Sequence, residues 1–364
     1  MDWKDLTRTD RIIVQQLDPS GLDSVIGELE GVELSKASLD AAYYSDTRTG
    51  GKLDVVGDGW QRGSFLRIIH EVPEWGYSNE LGTYIVTDDG AQRENGIWRY
   101  SLTLQSMLYA LDLDRLVRPW TIAKNAMAMT AVQQIIGQTN FELVRTGNDY
   151  KVKSAQVLES GTSRLSALFS LCNMAGNRLD VDGHGRIQIE RYQTPASKAP
   201  KWRIDLADPR GIALDGLSRS TDWLEMPDTV AVAHKYSDTS GSKTVEREIN
   251  AVARVGSGAH QSAAVRGYSI VDFREVTEMS PRTAARAQQL AASYLANDSR
   301  ELVEWELTTT YLPIWEGDVV ELVVHDGDID YQGARKCLVK SITLDLQPLR
   351  MKLTLKETAS GDDE

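Results

Sequence analysis

Short runs with strand-like alternation, broken repeatedly by Gly, Asn, Asp and Pro, occupy both ends of this chain and restrict it to a largely antiparallel β architecture. In the first 115 residues the runs are IIVQQL (12–17), VELSKASLDAAYY (32–44), SFLRIIHEV (64–72), LGTYIVTDD (81–89) and GIWRYSLTLQSML (96–108). Within the last, Ile97, Arg99 and Ser101 alternate with Trp98, Tyr100 and Leu102, the period of a half-buried strand. A barrel or a sandwich is the expected outcome.

From about 120 to 197 the period changes to helix followed by strand, twice. Ala128, Ala131, Val132, Ile135 and Ile136 recur at helical spacing up to Gly137, after which NFELVRT reads as extended. A second helix starts at Thr162 or Ser163, carries Leu165, Leu168, Phe169 and Cys172 on one face and stops at Gly176. Leu179 and Val181 then lead into a turn at 182–185, and Ile187 and Ile189 lead out, so a hairpin is expected in a small α/β domain.

Residues 198–355 return to strands: LVEWELTTTYL, DVVELVVHD, CLVKSITLDL and LRMKLTLKE. One helix interrupts them, with Ser280–Pro281 as its start, Ala287, Leu290, Ala291, Tyr294 and Leu295 as its buried stripe, and Asn297 and Asp298 as its end. The runs SDTSGSKT and GSGAHQSAA, between 237 and 265, read as exposed mobile loops, and the tail ETASGDDE lacks apolar residues and is expected to be disordered.

A chain of 364 residues has room for two or three domains of about 150 residues each. No window approaches the roughly 18 apolar residues of a membrane span, and MDWKDLTRTD is charged where a signal peptide is apolar, so a soluble chain made in a cytoplasm, without a membrane anchor, is expected. Two cysteines, Cys172 and Cys337, are too few for a disulfide framework or a cysteine-bound zinc, and both fit small core positions. A formal charge of −13 and a pI near 5.0 argue against broad binding to a phosphate backbone.

Catalytic and metal motifs fail on spacing. His325 with Asp326, Asp328 and Asp330 resembles a calcium loop, but positions 6 and 12 are Tyr331 and Cys337 where Gly and Glu are needed, so a hairpin tip is expected. Asp180, Asp182 and His184 place Gly185 correctly, yet position 12 is Arg191, and turn chemistry accounts for the carboxylates. HEVPE (70–74) lacks the second His of a zinc peptidase, and Pro73 breaks its helix. No GxSxG elbow occurs, and VGDGWQRG and VGSGAHQS lack the Lys of a phosphate loop. The pairs Asp222 and Glu225, or Glu301 and Glu304, match a glycosidase dyad no better than chance among 53 acidic residues. Most of the nine tryptophans suit sheet packing, whereas Trp75 and Tyr77, beside Pro and Gly in VPEWGYSNE (72–80), suit a partner surface.

Taken in order, several segments resemble the hub proteins at the distal end of long-tailed phage tails, a family that includes contractile-phage baseplate hubs, late-control D proteins and the base of the type VI secretion spike. They are GIWRYSLTLQSMLYALD, TSRLSALFSLCNMAGNRLDVDGHGRIQIERY, DTVAVAHKYSD, the stretch from AVRGYSIVDF to ELVEWELTT, and WEGDVVELVV with YQGARKCLVKSITLDLQPLRMKLTL, where Gly317 and Asp318 open a strand.

The resemblance implies an α+β, mainly β chain with two similar antiparallel β-barrels and an intervening small α/β domain. The boundaries are 1–117 for the first barrel, 118–197 for the α/β domain, 198–356 for the second barrel with a loop and helix inserted at about 237–299, and 357–364 for a disordered acidic tail. It further implies a non-enzymatic homotrimer without cofactor or metal, joining a sixfold tail tube to a threefold tip through interfaces on the order of 2,000–5,000 Å². Implied partners are a distal tail ring protein, a tape-measure protein and a fibre or spike, with phage DNA only in transit through a channel whose acidic wall repels it. Assembly in the host cytoplasm and residence at the virion tail tip follow. Many relatives carry a fused peptidase or lysozyme after the hub; its absence here argues against cell-wall cleavage. The alternatives are a cell-wall-degrading tail hydrolase or a carbohydrate-binding tail module.

Overall fold

Alternation becomes strand along the front of the chain. In the computed structural model β1 (Arg11–Leu17), β2 (Val25–Glu28), β3 (Ser38–Ala42), β4 (Thr49–Val56), β5 (Phe65–Val72), β6 (Tyr77–Glu94) and β7 (Ile97–Ser106) form antiparallel neighbours. The structure describes all residues except 1, 6, 140, 146, 153–154, 209, 211, 222–225, 239–244, 260, 277–282, 299–302, 326–332 and 359–364. One face of each strand is apolar and buried: Leu53 and Val55 on β4, Leu66 and Ile68 on β5, Leu102 and Leu104 on β7. Each such side chain contributes roughly 1.5–3 kcal/mol when taken out of water.

The middle segment builds a separate core. It contains α1 (Met107–Leu113), β8 (Trp120–Ile122), α2 (Ala128–Ile136), β9 (Leu143–Arg145), β10 (Gln156–Leu158), α3 (Arg164–Met174), β11 (Asn177–Val181) and β12 (Ile187–Arg191). Val132, Ile135, Leu165, Leu168, Cys172, Leu179 and Ile189 are buried together. Ser163 is the cap of α3, its hydroxyl accepting from Ser166 N at 3.1 Å. The expected hairpin pairs Leu179 with Ile189 and Val181 with Ile187, and β9 joins β12 in parallel.

The rear strands are β13 (Trp202–Asp205), β14 (Ala213–Thr221), β15 (Thr229–Asp238), β16 (Val245–Arg254), β17 (Val271–Glu275), β18 (Val303–Thr310), β19 (Val319–Val324), β20 (Gly333–Leu346) and β21 (Leu349–Glu357). Here the architecture departs from two separate barrels. β20 pairs with β19 from Gly333 to Leu338, then with β3 from Ser341 to Asp345. Front and rear strands therefore share one thirteen-stranded sheet, in the order β14-β18-β21-β20-β3-β4-β7-β6-β5-β1-β2 with β19 and β13 branching from β20. No barrel closes among the described residues. The physical reason is length: β20 outruns the shorter β19, and the backbone groups left over need partners, which β3 supplies.

Two units are distinguished, residues 1–217 with 306–355, and residues 218–305 with 356–364. The second holds the three-stranded sheet β16-β15-β17, a short α4 (Ala263–Arg266) and α5 (Ala284–Asp298). Val230, Val232, Ala251, Ala253, Ala287, Ala291 and Leu295 form its core. One expectation changes here, and one falls outside the described residues. The β16 strand lies between the two runs read as loops, inside the 237–299 segment expected as an inserted loop and helix; its Ile249, Ala251 and Ala253 alternate toward α5, a pattern overshadowed by charged residues and Gly/Ser-rich flanks. The start of α5 is capped by Thr283, whose hydroxyl accepts from Arg286 N at 3.2 Å, and Ser280 and Pro281 lie outside the described residues.

Candidate functional site

Trp75 and Tyr77 are half-buried at the junction of a short turn, Pro73–Trp75, with β6. Gly76, at φ 59, makes the left-handed step between them. Both rings meet Trp3, Trp75 edge-on at 5.2 Å between centroids and Tyr77 at 4.8 Å. Tyr311 completes the corner, 5.4 Å from Trp3 and 4.4 Å from the buried His70 ring. Arg8 lies 5.1 Å from the Trp3 ring and donates to Asp10, which also engages His70 Nε2 at 2.8 Å. The chain start, β5, β6 and the segment before β19 are thus held by one aromatic cluster, and Trp3 and Tyr311 carried no local signal of this role.

The turn between β11 and β12 docks onto β6. Thr83 Oγ1 donates to Gly183 O at 2.9 Å, and Arg67 donates to His184 O at 3.1 Å. The His184 ring lies between two carboxylates, with Nδ1 2.9 Å from Glu80 and Nε2 2.7 Å from Asp23. Its hydrogen bond, then its charge, hold the Asp23 carboxyl below the usual range. A Cβ on Gly183 would stand 2.2 Å from Glu80 O, so only glycine permits this approach.

A second junction surrounds Glu316, which is 7% exposed. Arg178 Nη2 sits 2.7 Å from Asp180 and 3.7 Å from Glu316, and the guanidinium lies over Tyr43 at 4.2 Å. Burial, then repulsion from Asp180, push the Glu316 carboxyl up to about 8, with Arg178 and Arg48 opposing. Arg48 donates to Tyr43 O and to Leu179 O, and burial, followed by Arg178, lowers its pKa. A Cβ on Gly317 would meet Arg178 Nη1 at 2.3 Å. Strand β3, hairpin β11–β12 and the turn before β19 are joined here.

This chemistry fastens segments together. Asp182, considered as a calcium ligand, accepts from Arg186 Nε at 2.8 Å, while Asp180 is taken by Arg178 and His184 by its two acids. Among the described residues no group of three or more His, Cys, Asp or Glu has the disposition of a metal site. His325 pairs with Asp205 at 2.7 Å, whereas Asp326, Asp328 and Asp330 lie outside the described residues, as do Asp222, Glu225 and Glu301. Glu304 lies on β18. Burial pushes the Cys172 thiol up to about 12, which removes the thiolate needed of a nucleophile. Among the described residues no helix is long and apolar enough to cross a membrane.

No family profile and no curated protein matches the sequence. Solved structures match the fold along its length. The prophage MuSo2 43 kDa tail protein from Shewanella oneidensis superposes with TM-score 0.62 at 13% identity, over 95% of this chain and 98% of that one. The tail protein from Neisseria meningitidis gives 0.65 at 12% identity, over 95% and 96%. A chain of the Francisella PdpA–VgrG complex gives 0.57 at 9% identity, over 98% of this chain and 59% of that one. From end to end, this chain has the fold of phage tail proteins.

Proposed function

We propose that this chain is a structural component of a phage-type tail, acting as the hub at its distal tip and without enzymatic activity. The observation that carries the reading is the match to the MuSo2 tail protein over nearly the whole of both chains. Two solved tail proteins and a chain from a VgrG complex share the fold, so the likeness does not rest on one module. The fastened junctions agree with it, because their charged side chains are paired across segments that lie far apart in the chain.

In this reading the front and rear strand groups act as two β lobes per chain, and three copies make a six-part ring that meets a sixfold tube on one side and a threefold tip on the other. The partners are a distal tail ring protein, a tape-measure protein and a fibre or spike, and the location is the virion tail tip. A net charge of −13 supports passage of DNA without retention. Trp75 and Tyr77, each half-buried, offer one edge of the aromatic corner to a partner.

Native mass spectrometry of the purified chain, alone and mixed with tail tubes, tests this. A trimer, or a ring seen by electron microscopy at the tube's distal end, is the expected result. A strict monomer at every concentration that never joins a tube overturns it.

A further inference from the structure

We propose that the cleft beside the 192–201 linker is a binding site for an acidic peptide segment, whose carboxylates it receives on Arg191 and Lys198. The cleft has a volume of about 480 Å³ and lies between Tyr43, Arg178, Tyr192 and the start of β19. This size lies within the range of roughly 300–1,000 Å³ typical of ligand sites. Its charged lining is Arg178, Arg191, Lys198 and Lys201 against Glu190 and Asp318, a local excess of cations in a protein whose net charge is −13.

Existing partners leave part of that charge uncompensated. Lys201 is neutralised by Asp318 at 2.8 Å. The Lys198 ammonium donates only to a main-chain carbonyl, Gly317 O, at 2.8 Å. Burial, followed by repulsion from Arg178, lowers the pKa of Lys198, and the attraction of Asp318, Glu190 and Asp180 offsets this only in part. Arg191 is exposed at the end of β12. Arg178 Nε is buried with no hydrogen-bond acceptor. An entering carboxylate would accept from Lys198 and Arg191, bonds of the stronger, charge-assisted kind.

The walls choose among anions. Tyr192 is 47% exposed and Tyr43 lines the same cleft, so the methylenes of a Glu side chain have aromatic faces to cover. A polyphosphate chain would bring several charges past Glu190, Asp318 and an acidic surface, which repel it. In an extended run of glutamates successive carboxylates point to opposite sides of the chain, so only alternate ones enter the cleft and the repulsion is smaller. The proposal is independent of the trimer and of the tail reading.

Fluorescence anisotropy of a labelled hexaglutamate peptide, titrated with the full-length chain, tests it. Binding that weakens with salt, is absent for hexaglutamine, and falls by about tenfold or more in the Arg191→Gln/Lys198→Met double variant is the expected result. Arg203→Gln, an exposed cation outside the cleft, leaves binding unchanged. Circular dichroism confirms that each variant keeps its fold, and Arg191→Gln alone, at an exposed position, supplies a second folded variant with a smaller loss. Equal affinity in wild type and double variant, an equal loss in Arg203→Gln, or no hexaglutamate binding at low salt overturns the proposal. Tighter binding of inorganic phosphate or of a short oligonucleotide than of hexaglutamate also overturns it.

Discussion

Arg178 and Glu316, far apart in the sequence, meet at 3.7 Å with the arginine also bound to Asp180 at 2.7 Å. A buried charge pair is a poor source of net stability, yet removing the arginine strands the Asp180 carboxylate and takes away the cation that faces the buried Glu316. Arg178→Ala is therefore expected to cost about 3–5 kcal/mol, read from the urea midpoint at constant slope. A loss below the range typical of exposed ion pairs shows that the junction does not hold these segments.

Glu316 itself gives a pH signature. Its folded value of about 8 lies above the ordinary carboxylate value, so between the two the folded state binds more protons and stability falls as pH rises. The penalty is absent below the unfolded value and complete above the folded one. In Glu316→Gln that slope disappears, and its stability relative to wild type improves from pH 5 to pH 9 by on the order of 3 kcal/mol. Denaturant unfolding at several pH values checks this.

At the hairpin tip the sign is opposite. The Asp23 carboxyl, held low by His184, contributes stability above its unfolded value and loses it as pH falls through the folded one. In Asp23→Asn, amide exchange at 182–185 is expected to be faster than in wild type at neutral pH and equal to it in strong acid. Hydrogen exchange resolved by mass spectrometry measures both.

Gly183→Ala forces a Cβ to within 2.2 Å of Glu80 O, a backbone atom that cannot rotate away. A loss of about 1–3 kcal/mol is expected from overpacking. Gly258→Ala, with nothing within 4 Å of its Cβ, serves as the matched control and stays within about 0.5 kcal/mol. Thermal unfolding of the pair compares them.

In the aromatic corner, Trp3 is 6% exposed and touches Trp75, Tyr77 and Tyr311. Trp3→Ala is expected to cost about 3–5 kcal/mol and to shift tryptophan emission to the red. Trp75→Ala, half-buried, costs less in the isolated chain. Any added loss on assembly with tail tubes measures its share of a partner surface.

Local order was readable where neighbouring residues decide it. The α3 helix with its Ser163 cap, the 182–185 turn and the alternation of β7 each depend on side chains within a few positions. The strand β16 was missed because charges and loop-forming flanks mask its apolar face, which becomes visible only once α5 packs on it. The 182–185 turn was legible from its own residues, and Asp182 closes it onto Arg186, but nothing nearby in the chain foretold that Glu316 would stand against Arg178 beside Asp180.

The sequence by itself determined the menu of elements, the change of period near residue 120 and the acidic charge, since each is set by local backbone preference or by composition. Tertiary structure alone decided that β3 continues along β20, that Trp3 and Tyr311 complete the corner of Trp75 and Tyr77, and that four cations line one cleft. Strand registry between distant segments depends on satisfying leftover backbone groups and excluding water from whole faces, and a pattern of neighbours along the chain does not encode which distant face will fit.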